Sequence, residues 1–65
     1  MNYPMFKVYN EMGDLVSHTY PNFGATENEI KETYARGCGW RNAAEMRQHY
    51  PIDDFKFIRL ENDYA

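Results

Sequence analysis

The 65-residue sequence has a single cysteine, Cys38, which therefore has no partner in the chain for a disulfide bond. Its apolar runs, such as Leu15-Val16 and Phe57-Ile58, are two or three residues long, whereas a membrane-spanning helix needs about 20. The first residues, Met1 to Lys7, have neither the cationic start nor the apolar stretch of a signal peptide. We therefore expect a soluble, cytoplasmic protein of a reducing compartment, without a membrane partner.

Catalytic and metal-binding patterns are also missing. A zinc site needs three or four ligands at suitable spacing, and the chain offers Cys38 and two isolated histidines. Cys38 lies between two glycines and close to Arg36 and Arg41, a setting that favours the thiolate, but the pattern positions no base beside it. We predict no catalytic residue, no metal site and no cofactor, and a protein that is not an enzyme.

The chain is short, and its length limits what it can enclose. A domain of this size buries only about 60% of the surface that its unfolded chain exposes, which disfavours a deep substrate cavity. The core of a domain this small rarely supplies more than roughly 3 to 5 kcal/mol. The sequence does contain 6 tyrosines, 4 phenylalanines and 1 tryptophan. Each can bury on the order of 150 to 250 Å², so we expect aromatic packing to replace disulfides and metal.

The amino-terminal part of the chain predicts a β-hairpin. Residues Met5 to Asn10 and Leu15 to Tyr20 alternate in the way that strands do. Between them, Glu11-Met12-Gly13-Asp14 supplies the glycine and aspartate of a turn.

Two helices are predicted to follow. Thr26-Glu27-Asn28-Glu29 has the form of a capping box, so the first helix should start at Thr26 and end at Gly37, a residue that tolerates the left-handed conformation. A second helix is predicted from about Arg41 to Tyr50, because most residues in that segment are good helix formers and Pro51 ends the run.

A third strand, Phe55 to Leu60, completes the order β-β-α-α-β. We predict an α+β fold in one domain spanning residues 1–65. A three-stranded, mainly antiparallel sheet should carry two short helices on one face, and residues 1–4 and 62–65 should form loosely ordered ends.

Large apolar side chains fall on both faces of the predicted sheet. Alternation separates Phe55 and Phe57 from Ile58 and Leu60, and the first strand repeats this pattern. Because two short helices cover one face, the other would present an apolar patch of the kind that binds a partner. The alternative is that the chain ends or the Asn22-Phe23 loop cover that face.

Acidic side chains outnumber basic ones by 10 to 7, for a net charge of −3. Such a surface steers a protein towards a basic partner, and it also keeps a small domain soluble. We predict binding to a larger protein with a basic or apolar surface. The predicted contact residues are aromatic residues of the sheet and acidic residues around it: Tyr9, Phe55, Phe57, Glu27, Glu29, Asp53 and Asp54.

Residues 36–50 support an alternative, because they carry three basic side chains and one acidic one, a net of +2. A tryptophan in this segment could stack on a base. The contacts of such a nucleic-acid-binding module would be Arg36, Trp40, Arg41 and Arg47. Three arginines are few for an autonomous nucleic-acid binder, and the overall charge has the wrong sign, so this alternative is less favoured. A homodimer formed through the spare sheet face is a third hypothesis.

In length, acidity and element order, the chain resembles small phage-encoded proteins that bind and inhibit host machinery, including anti-CRISPR proteins and inhibitors of host polymerase. Thr26 to Gly37 and Phe55 to Leu60 are the clearest matching elements. These proteins share no common motif, so no functional residue carries over. The resemblance implies stoichiometric binding without catalysis, in the host cytoplasm, to a partner such as a nucleic-acid-handling complex.

Overall fold

Three strands, two α-helices and one turn of 3-10 helix make up residues 4–60, the part of the chain that the structure, a computed structural model, describes. The predicted α+β class and element order are confirmed. No helix of these residues is long and apolar enough to cross a membrane. The predicted loose ends lie outside the described residues, except for Pro4, which is buried. The elements are β1 (Phe6–Tyr9), β2 (Leu15–Thr19), α1 (Glu27–Gly37), α2 (Ala43–Arg47), the 3-10 turn (Ile52–Asp54) and β3 (Lys56–Arg59).

The sheet has the order β2-β1-β3, with β1 antiparallel to both neighbours. The predicted hairpin joins β1 to β2, and Asn10 holds its turn. The side-chain Oδ1 of Asn10 accepts hydrogen bonds from the backbone amides of Met12 and Asp14, each at 2.9 Å. Gly13 takes a φ of 88°, which a glycine adopts without steric cost.

A β-bulge interrupts the hairpin. Val8 pairs with Ser17, but the next residue, Tyr9, pairs with Leu15, so Val16 is the extra residue. Val16 lines a groove that also contains residues of both helices. The bulge therefore adds an apolar side chain to the helix side of the sheet without shifting the alternation of β1.

Both helices pack on the face of the sheet that carries Val8. This residue is fully buried and belongs to a core cluster with Tyr34 and Ala35 of α1 and Met46 of α2. Because residues directly opposite each other in antiparallel strands share a face, Phe57, the partner of Val8 in β3, lies on the same side. The opposite face, which we call the open sheet face, carries Lys7, Tyr9, Leu15, His18, Lys56 and Ile58.

The predicted capping box at the start of α1 is confirmed. Thr26 Oγ1 accepts from the backbone amide of Glu29 at 3.2 Å, and Glu29 Oε1 accepts from the amide of Thr26 at 2.8 Å. The helix ends at Gly37 as predicted, but the left-handed residue is Gly39, with a φ of 97°. Gly37 is helical because the termination motif needs its left-handed residue two positions later.

The second helix is much shorter than predicted and spans Ala43–Arg47 rather than residues 41–50. Asn42 is its N-cap, since its side chain accepts from the amide of Glu45 at 2.8 Å. The residues after Arg47 form turns that lead to Pro51. Helix propensity is a weak preference. The Asn42 side chain overrides it at the start of the helix, and the restriction that Pro51 places on the residue before it acts against a helix at the other end.

One carboxylate connects the two helices to the 3-10 turn. Asp53 accepts from Arg47 Nε at 2.8 Å and from Lys31 Nζ at 3.1 Å. The Lys31 side chain is 10% exposed and also lies 4.0 Å from Glu27. These cations, Arg47 first and then Lys31, hold the pKa of Asp53 below its usual range.

We expect Asp53→Asn to lower the midpoint of thermal unfolding at neutral pH, because it removes the negative charge from both contacts. A carboxyl whose pKa is lowered by folding stabilises the protein above its unfolded pKa of about 3.9 and loses that contribution as the pH falls through the folded value. The difference between wild type and variant should therefore vanish in acid.

Asp54→Asn is the matched control, since the Asp54 side chain makes no ion pair or hydrogen bond with residues 4–60. Equal melting midpoints for the two variants at neutral pH would contradict the assigned role of Asp53.

Candidate functional site

An open groove of about 460 Å³ lies where the hairpin turn meets the carboxyl end of α1. We call it the aromatic groove, because four of its residues carry aromatic rings. It draws on the hairpin, both helices, the link between them and the segments on either side of the 3-10 turn. Its lining residues are Asn10, Glu11, Val16, Tyr34, Cys38, Trp40, Met46, Tyr50 and Phe55.

The end of α1 determines where Trp40 lies. The backbone amide of Gly39 donates to Arg36 at 3.0 Å, and the amide of Trp40 donates to Ala35 at 3.0 Å. With a left-handed Gly39, this is the Schellman arrangement, in which the residue after the glycine folds back against the last turn of the helix. Trp40 consequently lines the same groove as Tyr34, which lies one turn before the end of α1.

Two pairs of rings line the groove, Tyr34 with Phe55 and Trp40 with Tyr50, and each pair has a further ring packed against it. Tyr34 packs against Phe55, with ring centroids 6.1 Å apart, and edge-on against Phe57 at 5.5 Å. Trp40 meets Tyr50 edge-on at 6.1 Å and is stacked on His49 at 4.8 Å. Because His49 and Tyr50 follow α2 in a turn, the early end of this helix is what brings them to Trp40.

The polar groups of the groove are few. Tyr34 is 6% exposed, and burial raises the pKa of its phenol far above the ordinary value, with a further contribution from the Cys38 side chain. Tyr34 therefore remains a neutral hydroxyl. Cys38 is a free, exposed thiol. Glu11 is the one charged side chain among the described residues that line the groove.

The predicted sheet contacts do not share one surface. Phe55 and Phe57 pack against the core on the helix side, whereas Tyr9 lies on the opposite face. The structure thus places Tyr9 on one face and Phe57 on the other, because β3 pairs with β1 in the register that sets Phe57 opposite Val8.

The four predicted acidic contacts lie away from the open sheet face. Glu29 belongs to the capping box, and Glu27 lies 4.0 Å from Lys31. Asp53 is bound by two cations and is not a free charge for steering, in contrast to its exposed neighbour Asp54. Long-range attraction from these residues is thus weaker than their number indicates.

The four predicted nucleic-acid contacts do not form a basic patch. Arg36 lies 3.7 Å from Glu32, and Arg47 is bound to Asp53, so two of the three arginines are compensated. Trp40 is half-buried in the aromatic groove, and Arg41 is exposed. One of these ion pairs lies within α1 and the other joins α2 to the 3-10 turn, so a count of basic residues in segment 36–50 alone did not reveal them.

The open sheet face has a different charge from the rest of the molecule. Its strand residues include Lys7, His18 and Lys56 and no acidic side chain. All acidic residues within 4–60 lie in the hairpin turn, the helices and the 3-10 turn. The strand residues of this face are therefore apolar and weakly basic.

Sequence reasoning missed Glu11, Tyr34 and Tyr50 as candidate site residues. A signal for the groove was present in the Gly39-Trp40 pair just after the helix, because a glycine followed by an apolar residue is typical of the Schellman arrangement. Nothing local indicated that the hairpin turn would bring Glu11 to the same place.

Two further findings bear on function. Within residues 4–60, the structure contains no group of three or more His, Cys, Asp or Glu side chains that could hold a metal ion. Comparison with protein families, curated proteins and solved structures finds no match to this chain. The function must therefore be argued from the groove and the exposed surfaces.

The raised pKa of Tyr34 predicts a loss of stability in alkali. A phenol whose pKa is higher in the folded state stabilises the protein fully below its unfolded value of about 10, and that contribution is lost as the pH rises further. Between about pH 8 and pH 11, the free energy of unfolding should fall more steeply for wild type than for Tyr34→Phe. Urea unfolding at each pH measures this.

Tyr20→Phe serves as the control, because Tyr20 is 56% exposed. It should retain the slope of the wild type. If Tyr34→Phe showed that same slope, Tyr34 would be ionising in the folded state.

Proposed function

We propose that this protein is a small non-catalytic binding protein that attaches to a larger protein and acts by occupying part of its surface. The aromatic groove is the observation that carries the proposal. Tyr34, Trp40, Tyr50 and Phe55 converge there. Tryptophan and tyrosine are the residue types that most often dominate the energy of protein interfaces, particularly when they lie in pockets.

The shape of the groove favours a protein partner over a small molecule. Small-molecule sites enclose most of their ligand, whereas this groove is open along its length. An interface of standard size buries about 800 Å² on each partner, roughly a sixth of the 4569 Å² that this chain exposes. Apolar side chains next to the groove can contribute to that area, since Met12 is 77% exposed and Val16 is 47% exposed.

The charge of the groove and of the whole chain indicates the character of the partner. Glu11 is negative, and the net charge of the chain is −3. A complementary partner surface is apolar at its centre and basic around it. A domain that covers such a surface inhibits or modulates its partner stoichiometrically, and it needs no catalytic group to do so.

Tyr50→Ala tests the groove as the contact site. Tyr50 is 51% exposed, so the substitution should leave the fold intact while it weakens partner binding by about tenfold or more. Wild type, Tyr50→Ala and Tyr20→Ala are immobilised and challenged with nuclease-treated lysate, and a captured protein is then purified and its affinity measured.

Tyr20 is a matched control, because it is a comparably exposed tyrosine outside the groove. A partner that binds wild type and Tyr20→Ala equally but binds Tyr50→Ala weakly supports the proposal. Equal affinity for all three proteins would overturn the groove as the contact site.

The open sheet face supports a second candidate function, the binding of single-stranded nucleic acid. The observation is the presence of Lys7, Lys56 and Tyr9 on a face whose strand residues include no acidic side chain. Sheets with exposed aromatic and basic side chains are a common platform for single-stranded RNA. The same lysines disfavour a homodimer through this face, because symmetric packing would bring like charges together.

Fluorescence anisotropy with short RNA and DNA at low salt tests this candidate. We expect binding that weakens as salt rises and that is lost in a Lys7→Glu, Lys56→Glu variant, because phosphate contacts release counterions. Arg36→Glu, which changes a charge on the helix side, should have little effect. No binding at tens of micromolar protein, or equal losses for both variants, would exclude the sheet face.

A further inference from the structure

We propose that the aromatic groove recognises a basic side chain, a lysine or an arginine, presented by the partner protein. The inference rests on the proposed function of the groove as a protein-binding site and adds the chemistry of what enters it. It depends on three features: the faces of the aromatic rings, the carboxylate of Glu11, and the absence of a lysine or arginine among the described residues that line the groove.

The rings provide the first feature. A lysine ammonium or an arginine guanidinium is attracted to an aromatic face when it lies within about 6 Å of the ring centroid. The centroids of Trp40 and Tyr50 are 6.1 Å apart, as are those of Tyr34 and Phe55. A cation placed between the two rings of a pair is therefore within this distance of both centroids. Tryptophan is the most favourable ring for such a contact.

Glu11 provides the second feature. It lies in the hairpin turn, where the Asn10 side chain binds two backbone amides and so holds the turn in place. Little conformational entropy is then lost when a ligand meets the turn. Tyr34 adds a neutral hydroxyl that can accept a hydrogen bond from an ammonium or guanidinium group.

The absence of an internal lysine or arginine is the third feature, and the imidazole stacked on Trp40 belongs to His49, which does not line the groove. No lysine or arginine is among the described residues that line the groove, and Glu11 makes no ion pair within residues 4–60. Arg36 and Arg47, which lie on the same helices as groove residues, are bound to Glu32 and Asp53. The carboxylate can thus serve a basic ligand, whereas an apolar side chain would gain nothing from it and an acidic one would be repelled.

The test uses the full chain, labelled with ¹⁵N, and four capped amino acids as probes: the N-acetyl methylamides of lysine, arginine, norleucine and glutamate. Chemical-shift changes at the Trp40 indole and at the backbone amides of the groove report binding. We expect the two basic probes to saturate these signals with a Kd on the order of millimolar, about fivefold tighter than norleucine. Glutamate should bind most weakly.

Glu11→Gln should weaken lysine and arginine binding about threefold and leave norleucine binding unchanged. Glu27→Gln is the control, because it makes the same chemical change on a side chain that is 84% exposed and outside the groove. It should leave all four affinities as in wild type.

The outcomes distinguish this inference from the proposed function. If norleucine bound as tightly as lysine and arginine at the groove, the preference for a cation would be overturned while an apolar protein-binding groove remained. Tightest binding by glutamate, or shifts confined to residues outside the groove, would likewise overturn it. The effect of Tyr50→Ala on partner affinity decides the proposed function separately.

Discussion

The packing of Tyr34 against Phe55 and Phe57 is the contact on which the rest of this structure depends. It joins α1 to the segment that forms the last strand, with ring centroids 6.1 and 5.5 Å apart. A chain of this length without a disulfide relies on such contacts for stability, because each ring buries on the order of 150 to 250 Å². Tyr34 and Phe55 also line the aromatic groove. The core and the candidate binding site are therefore continuous at Tyr34, while Trp40 and Tyr50 are less deeply buried.

Acidic and basic side chains are distributed differently among the secondary-structure elements of this protein. Within residues 4–60, the acidic side chains lie in turns and helices, and none lies in a strand. Several are used internally, as when Asp53 links Lys31 of α1 to Arg47 of α2. The net charge of −3 therefore does not represent the local charge of the aromatic groove or of the open sheet face. The groove combines aromatic rings with one carboxylate, whereas the open sheet face carries Lys7 and Lys56, so the two surfaces suit ligands of opposite charge.

The features that the sequence predicted correctly are local ones. The hairpin turn and the capping box at Thr26 each depend on residues within four positions of one another, so their hydrogen bonds form from short-range geometry alone. The second helix was predicted to start too early, because a local cap and a contact with α1 together set its first residue. The amide of Ala43 donates to Glu32 of α1 at 3.1 Å, and Asn42 caps the helix at that point. Propensity along the chain contains no information on such a contact.

The sequence by itself determined the α+β class, the element order and the alternation of side chains within each strand, since these follow from short-range sterics and periodicity. Only the tertiary structure decided which side chains of different strands share a face of the sheet. The register between β1 and β3 pairs residues that are distant in sequence, and it separates Tyr9 from Phe57. The groove was likewise decided at this level, because Glu11 and Trp40 come together only when the hairpin packs beside the end of α1. Long-range pairing of this kind has no local signature.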